Sequence, residues 1–427
     1  MSFLYLLIFL LIASSFLWNF NKTLLVYAPF KLILHSNIYL YDANFALNLD
    51  MAISSFAFIL FLIKGNRIKG IPSYISYAFV LYCVSWFVYG LYPRFAPNAF
   101  FYEPITSILY VMMLFSSVYD KQSIKILLYS FIVVASILVI DALIDVIFGV
   151  NLITQITSSQ GGGRYWISEN DIQRAGMQRT TSFMPHSIAM GTLAALLWGM
   201  FVLVYSKFPQ YIPSSKMTKF LLSTLPFCVL FANSRTSICV FICFFLLFLN
   251  FKQIFTKKSL GLLLIVICLF ILFPQYLIWM YNSIFHESEV NVAGSTMDLR
   301  ERQSDIAITY FFKNPILGNG IDFDLLRYEK KDDVMGMESL WFDLMYHRGL
   351  MGLIPYVVLM ITGFYVMWRT NRWFTLFFFA WIISITMSSQ VSISSFLFVF
   401  MIFLSYKIKI INDYEQRMQI IHNNSCI

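Results

Sequence analysis

The polar positions of this chain do not recur every three or four residues along its helices; they gather in short clusters between long apolar runs. Runs of that kind suit helices that cross ~30 Å of hydrocarbon. They fall at 3–18, 46–63, 74–92, 101–118, 126–148, 187–205, 220–232, 238–250, 259–281, 350–368, 373–389 and 394–406. The first run lacks a basic leader and a small-residue cleavage site, so it reads as a retained helix and not as a signal peptide. The stretch 23–45, with Pro29 and Tyr39 to Asp42, is interrupted and amphipathic. It reads as interfacial or re-entrant, with a thirteenth span as the alternative. The runs at 220–232 and 238–250 are short and meet at a polar point, Asn233 to Arg235.

The predicted fold is therefore all-α: one polytopic transmembrane domain, residues 1–427, of about twelve spans. Composition agrees, with 59% hydrophobic residues, 12% charged and 45 phenylalanines. The lysines and arginines of the short loops give the orientation. Lys64, Arg67 and Lys69; Lys121 and Lys125; Lys207, Lys216 and Lys219; Lys252, Lys257 and Lys258; Arg369 and Arg372; and Lys407 and Lys409 alternate onto one side. By the positive-inside rule that side is cytoplasmic, with both termini on it.

Charge divides unevenly between the two sides. The lysine-rich side holds 16 basic and 3 acidic residues, the other 14 basic and 19 acidic. The net charge of +8 is thus topogenic and does not indicate a nucleic-acid surface. The basic residues also change type, from 12 Lys and 4 Arg inside to 5 Lys and 9 Arg outside. Arginine suits a planar, multidentate grip on phosphate, whereas local ion pairing is the plainer reading. Two larger loops project outside, 149–186 and 282–338. The second carries 11 acidic and 6 basic residues. Ser295 to Phe312 predicts a helix in it, with Ser295 as cap and Pro315 beyond its end.

Several chemistries have no signature here. There is no phosphate-binding G-x-x-x-x-G-K-[ST], no dinucleotide fingerprint and no H-E-x-x-H. The five histidines are scattered and the six cysteines form no metal-ligand spacing, so neither metal nor cofactor is expected. Asp50, Asp141 and Asp145 lie within apolar runs, where a carboxylate is costly. They are either functional or paired with an arginine from another helix.

Four local patterns on the outer side carry the candidate chemistry. They are Arg179 to His186; Asn233 to Ser237 around Arg235; Arg300 with Arg302, followed by Asn314-Pro-Ile-Leu-Gly-Asn-Gly320; and Glu338 to Asp343, leading through His347 to Gly349-Leu-Met-Gly352. In order and spacing they resemble the O-antigen polymerase and ligase superfamily, the Wzy-type polymerases and their ligase relatives. The resemblance implies a glycosyltransferase-C-like, metal-free enzyme. Its substrate would be an undecaprenyl-diphosphate-linked oligosaccharide taken at the periplasmic face, its surroundings membrane lipid, and a polysaccharide chain-length regulator a further candidate partner. Arg179 matches the family's first arginine, although serine stands where glycine is usual. Arg235 matches the second, and Arg300, fifteen residues before Pro315, the third. Ligases usually carry a His-Asn pair at the positions held here by Glu338 and Ser339, and this departure favours the polymerase branch.

Chemistry of this kind needs cations to neutralise a departing diphosphate and a base for the attacking sugar hydroxyl. Arg179, Arg235 and Arg300 are the expected cations and Glu338 the first candidate base, with Asp343 and His347 next. Arg302 and His186 are expected to assist in binding substrate. Each has a plainer reading: Arg235 as a snorkelling or ion-paired helix end, Arg300 and Arg302 as solvated helix charges, Arg179 as a loop charge, and His186 as a structural residue. A ligase acting on the lipid A core, or a flippase for the lipid-linked glycan, are the alternative functions.

Overall fold

The computed structural model describes residues 3–34, 39–41, 47–87, 101–149, 173–174, 177–184, 186–248, 297–320, 337–388 and 391–425. The expected span at 259–281, the glycines at 161–163 with Arg164, the Ser295 cap and most of both outer loops lie outside the described residues. Within them, helices follow one another as α1 (Phe3–Trp18), α2 (Phe20–Phe30), α3 (Leu49–Ile63), α4 (Ser73–Trp86), a π-helical turn (Pro104–Leu109) running into α5 (Tyr110–Ser117), and α6 (Lys121–Phe148). Then come α7 (Ser187–Lys207), α8 (Ser215–Phe231), α9 (Arg235–Phe248), α10 (Met297–Lys313), α11 (Leu340–Thr370), α12 (Phe374–Met387) and α13 (Val391–Ser425). Two short antiparallel strand pairs interrupt them, β1 (Tyr39–Tyr41) with β2 (Leu47–Asn48) and β3 (Gln173–Arg174) with β4 (Met177–Gln178).

Among the described residues, α6, α7, α11 and the segment Ser395–Ile421 of α13 are long and apolar enough to cross a membrane. The surface of α11 fits lipid as well as its length does. On α11, Leu350, Ile354, Val357, Ile361, Tyr365 and Trp368 recur at intervals of three and four and are exposed, while Tyr356, Leu359 and Met367 on the other face are buried. A water-soluble helix turns its polar side outward; one that is apolar all round needs lipid on the outside. The protein is membrane-embedded. Local chemistry sets the helix ends. The Asp120 carboxylate accepts a hydrogen bond from the Ser123 N–H at 2.7 Å to cap α6, and Gly149 closes that helix in the left-handed conformation, at φ 66°.

The N-terminal region departs from expectation. The pattern of residues 23–45 predicts an interfacial or re-entrant segment, with a thirteenth span as the alternative; of these, Phe20–Phe30 forms a short helix packed into the bundle. Phe20, at its start, packs on Phe61 (5.9 Å between ring centroids) with the Lys64 ammonium 5.5 Å from its ring. Lys31, just beyond its end, donates to the Asp50 carboxylate at 2.7 Å, at the start of α3. So α2 runs antiparallel to α3. Phe9 of α1 packs on Phe56 of α3, and Phe16 on Phe20, so α1 runs in the same direction as α3. In a frame where the Lys64 end is cytoplasmic, Phe3 starts at the opposite end. Lys407, by contrast, lies 5.7 Å from the Phe115 ring beside the contact between Lys69 and Ser116, at the lysine-bearing end. The two ends of the chain thus enter the bundle from opposite sides.

Two features make 20–34 look unlike a span in the sequence. Pro29 falls in the last turn of its helix, where the chain is already ending, and the charge of Lys31 is met internally. Its ammonium bonds Asp50 and Ser54, both at 2.7 Å, and sits 4.4 Å from the Tyr110 ring; the Tyr27 hydroxyl donates to the same carboxylate at 2.7 Å. Asp141 and Asp145 also find partners other than an arginine. The Ser182 hydroxyl donates to Asp141 at 2.8 Å and the Thr181 N–H to Asp145 at 3.2 Å, which ties the end of the first outer loop to α6.

Candidate active site

The turn Pro315 to Gly320 is seated in a break of α11. Gly349 interrupts that helix with φ 55° and ψ −145°, a conformation close to the region only glycine enters. The break frees backbone groups, and the turn takes them up. Leu350 N–H donates to the Pro315 carbonyl (2.8 Å), Met351 N–H to the Ile316 carbonyl (3.0 Å), Asn319 N–H to the Tyr346 carbonyl (2.8 Å) and Gly320 N–H to the His347 carbonyl (3.1 Å). The Asn319 side-chain amide adds bonds to the carbonyls of Tyr310 and Tyr346. The fit leaves no room for side chains at the crossing. A Cβ on Gly349 would lie 2.6 Å from the Pro315 oxygen, and one on Gly318 would lie 2.5 Å from the Arg348 nitrogen. The Pro-x-x-Gly-x-Gly pattern and the later Gly349 are therefore two halves of one joint between α10 and α11.

That joint brings Arg300 to Glu338. Arg300 Nη2 lies 3.2 Å from Glu338 Oε2, and its Nε donates to the same oxygen at 3.3 Å. Both side chains are about one-third exposed, 33% and 35%, which leaves the pair open to a ligand from outside. Gln303, one turn further along α10 and buried, accepts a hydrogen bond from the Glu338 N–H at 3.2 Å and fixes the backbone there. The motifs of the sequence do not single out Gln303; its place three residues after Arg300, on the same helical face, is the available signal. Arg302 is on the exposed face of α10 with Glu301 and Asp305, so the two neighbouring arginines point apart.

His347 is buried against the joint. Its Nδ1 meets the Gly320 carbonyl, and its Nε2 lies 3.5 Å from Asp343, one turn earlier. His347 and Asp343 thus stand side by side on the segment that begins beside Glu338.

The other two predicted arginines lie elsewhere in the bundle. Arg179 is buried, 5% exposed, with its Nε donating to the Ala232 carbonyl at 3.5 Å; the neighbouring Thr180 N–H donates to the Phe231 carbonyl. Ala232 belongs to the α8–α9 turn that places Arg235 at the first position of α9, with Asn233 at φ 46° making the reversal. The first outer loop thus packs on the turn that leads into Arg235. His186 is engaged locally, its Nδ1 accepting from the Ile188 N–H at 3.1 Å as the cap of α7. Helix α12 packs against both α9 and α11, and at one end of it Thr386 accepts from the Trp341 indole at 3.1 Å. The structure thus pairs Arg300 with Glu338 and seats Arg179 on the turn before Arg235. No group of three or more His, Cys, Asp or Glu among the described residues could hold a metal ion.

Two further charged residues carry no motif in the sequence. Arg348 is 1% exposed and Glu103 3% exposed, each within the apolar part of the bundle. Their signals are an arginine directly before the glycine of a helix break and a carboxylate at the start of an apolar run.

Residues 220–357 match the family model described as O-antigen ligase. The match covers about a third of the chain and takes in Arg235, Arg300, the Pro315–Gly320 turn, Glu338 and Gly349, but not Arg179. It supports the O-antigen polymerase and ligase superfamily for this chain. No curated protein matches it.

Proposed function

We propose that this protein polymerises polyprenyl-diphosphate-linked oligosaccharide repeat units into an O-antigen or capsular polysaccharide at the periplasmic face of the inner membrane. The observation that carries the reading is the partly exposed Arg300–Glu338 pair, held by a glycine joint within the matched family segment. The growing glycan moves from its carrier to the non-reducing end of an incoming lipid-linked unit. A hydroxyl of that unit attacks the anomeric carbon. The bond from that carbon to the diphosphate oxygen breaks, and its electron pair leaves with the diphosphate. Arg300, Arg235 and Arg179 would neutralise the charge that develops there, in surroundings of low dielectric where such contacts count for most. Glu338 would orient the hydroxyl and take its proton, with Asp343 and His347 close behind it. When diphosphate draws Arg300 away, Glu338 is released to act as that base.

The lysine-bearing end of the bundle would lie in the cytoplasm with the C-terminus, and the N-terminus, entering from the other end, in the periplasm. A ligase is the second reading, because the matched family is described by that activity. Glu338, standing where ligases usually carry histidine, argues for the polymerase. A flippase would carry its charge in a cavity built across many helices, whereas the charge of this sequence is concentrated in two outer loops. The test is replacement of Arg235 or Arg300 by alanine in cells. Loss of polymer with normal protein in the membrane is expected; normal polymer lengths in both variants would refute the site.

A further inference from the structure

Burying an arginine in a membrane protein is costly, and such residues usually mark function. Arg348 has a seat built for it. Its guanidinium carbon lies 4.2 Å from the centre of the Trp86 ring and its Nη1 donates to the Ser85 hydroxyl at 3.3 Å, both on α4. Gly352, one turn later, leaves room for the side chain: a Cβ there would meet the Arg348 Cβ at 2.4 Å. The two glycines of Gly349-Leu-Met-Gly352 thus have different tasks, one for the helix break and the other for the arginine beside it.

Arg348 is therefore held on the bundle side by Ser85 and Trp86 of α4, while its own backbone nitrogen lies against Gly318 of the joint on the other side.

We infer that Arg348 is a positioning residue: seated on Ser85 and Trp86 of α4, it anchors the segment 340–348 to the bundle, so that Asp343, His347 and the adjoining Glu338 face substrate in fixed geometry. The consequence for catalysis rests on the glycosyl-transfer reading; the anchoring itself does not. Glycosyl transfer demands close placement of the acceptor hydroxyl, and displacement by about 1 Å costs ~100-fold in rate.

The test uses the full-length protein in lipid nanodiscs, as wild type, Arg348→Met and Arg348→Lys. With a synthetic lipid-linked repeat unit, Arg348→Met should lower kcat ~100-fold while KM changes less than about threefold. Arg348→Lys should restore a large part of that loss. Amide exchange at Leu350 and Met351 should follow the same order. A KM that rises with kcat unchanged would overturn the inference, because Arg348 would then hold substrate. So would wild-type kcat in Arg348→Met. If wild type itself transfers no sugar, the functional reading fails, and the exchange series alone decides the anchoring: loss of protection in Arg348→Met with recovery in Arg348→Lys supports it, and unchanged protection refutes it.

Discussion

Replacing Gly349 by alanine should open the joint on which the Arg300–Glu338 pair depends. Two costs add. A φ of 55° with ψ −145° is strained for any residue with a Cβ, by about 1–3 kcal/mol. The new Cβ also falls 2.6 Å from the Pro315 oxygen, 2.7 Å from the Gly318 nitrogen and 2.9 Å from the Ile316 oxygen. These are backbone atoms with little freedom to give, and overpacking of this kind costs roughly 1–3 kcal/mol more. The sum, about 2–6 kcal/mol, falls on a contact held mainly by the N–H bonds of Leu350, Met351, Asn319 and Gly320. Even its lower end corresponds to ~30-fold in the opening equilibrium. Hydrogen exchange at Leu350 and Met351 should therefore speed up at least ~30-fold, with polymer lost in cells. Gly65→Ala is the control. Gly65 has φ 67° and open space where a Cβ would stand, with nothing within 4 Å, so it bears only the conformational cost of about 1–2 kcal/mol. Equal effects of the two substitutions, or normal polymer from Gly349→Ala, would refute the reasoning.

Further predictions concern charge and topology. Lys31→Met leaves Asp50 buried without its cation and should cost about 3–5 kcal/mol, seen as a marked fall in the detergent melting temperature; a paired Lys31→Met/Asp50→Leu change should recover much of it. Glu338→Gln removes an ion pair that is one-third exposed, so stability should change by less than about 1 kcal/mol while transfer falls ~100-fold or more, a contrast read from melting and activity in one preparation. Reporters fused to the two ends of the chain should fall on opposite sides of the membrane; both reporting cytoplasm would contradict the direction of α1 derived from its contacts with α3.

The long apolar helices α6, α7, α11 and α13 are legible because length and hydropathy are local properties. The α8–α9 reversal at Asn233 is legible for the same reason, since short polar clusters interrupt helices wherever they stand. The break of α11 at Gly349 is not, because the turn that fills it comes from Pro315 to Gly320. What escapes is set by partners far away in sequence. Arg348 bonds Ser85 across 263 residues, and Lys31 meets Asp50 across 19, so nothing near either cation announces its partner. The segment 20–34 looks too polar for a span as long as Lys31 counts as a cost, whereas Asp50, Ser54 and the ring of Tyr110 offset it. Asp141 and Asp145, read as either functional or paired with an arginine, are met by a serine hydroxyl and a backbone N–H. Of the candidate site, the sequence names Arg300 and Glu338 in separate roles, and only the docking of the Pro315–Gly320 turn on α11 brings them together.

The central claim, sugar transfer by an outer-face arginine–carboxylate site, is tested most directly by the glycan ladder of a deletion strain carrying either the wild-type gene or the Arg300→Ala variant. The account predicts that the deletion leaves single repeat units on the lipopolysaccharide core, that wild type restores the ladder and that Arg300→Ala does not. Bare core with long glycan still on its lipid carrier would identify a ligase instead, and a full ladder with Arg300→Ala would contradict the site.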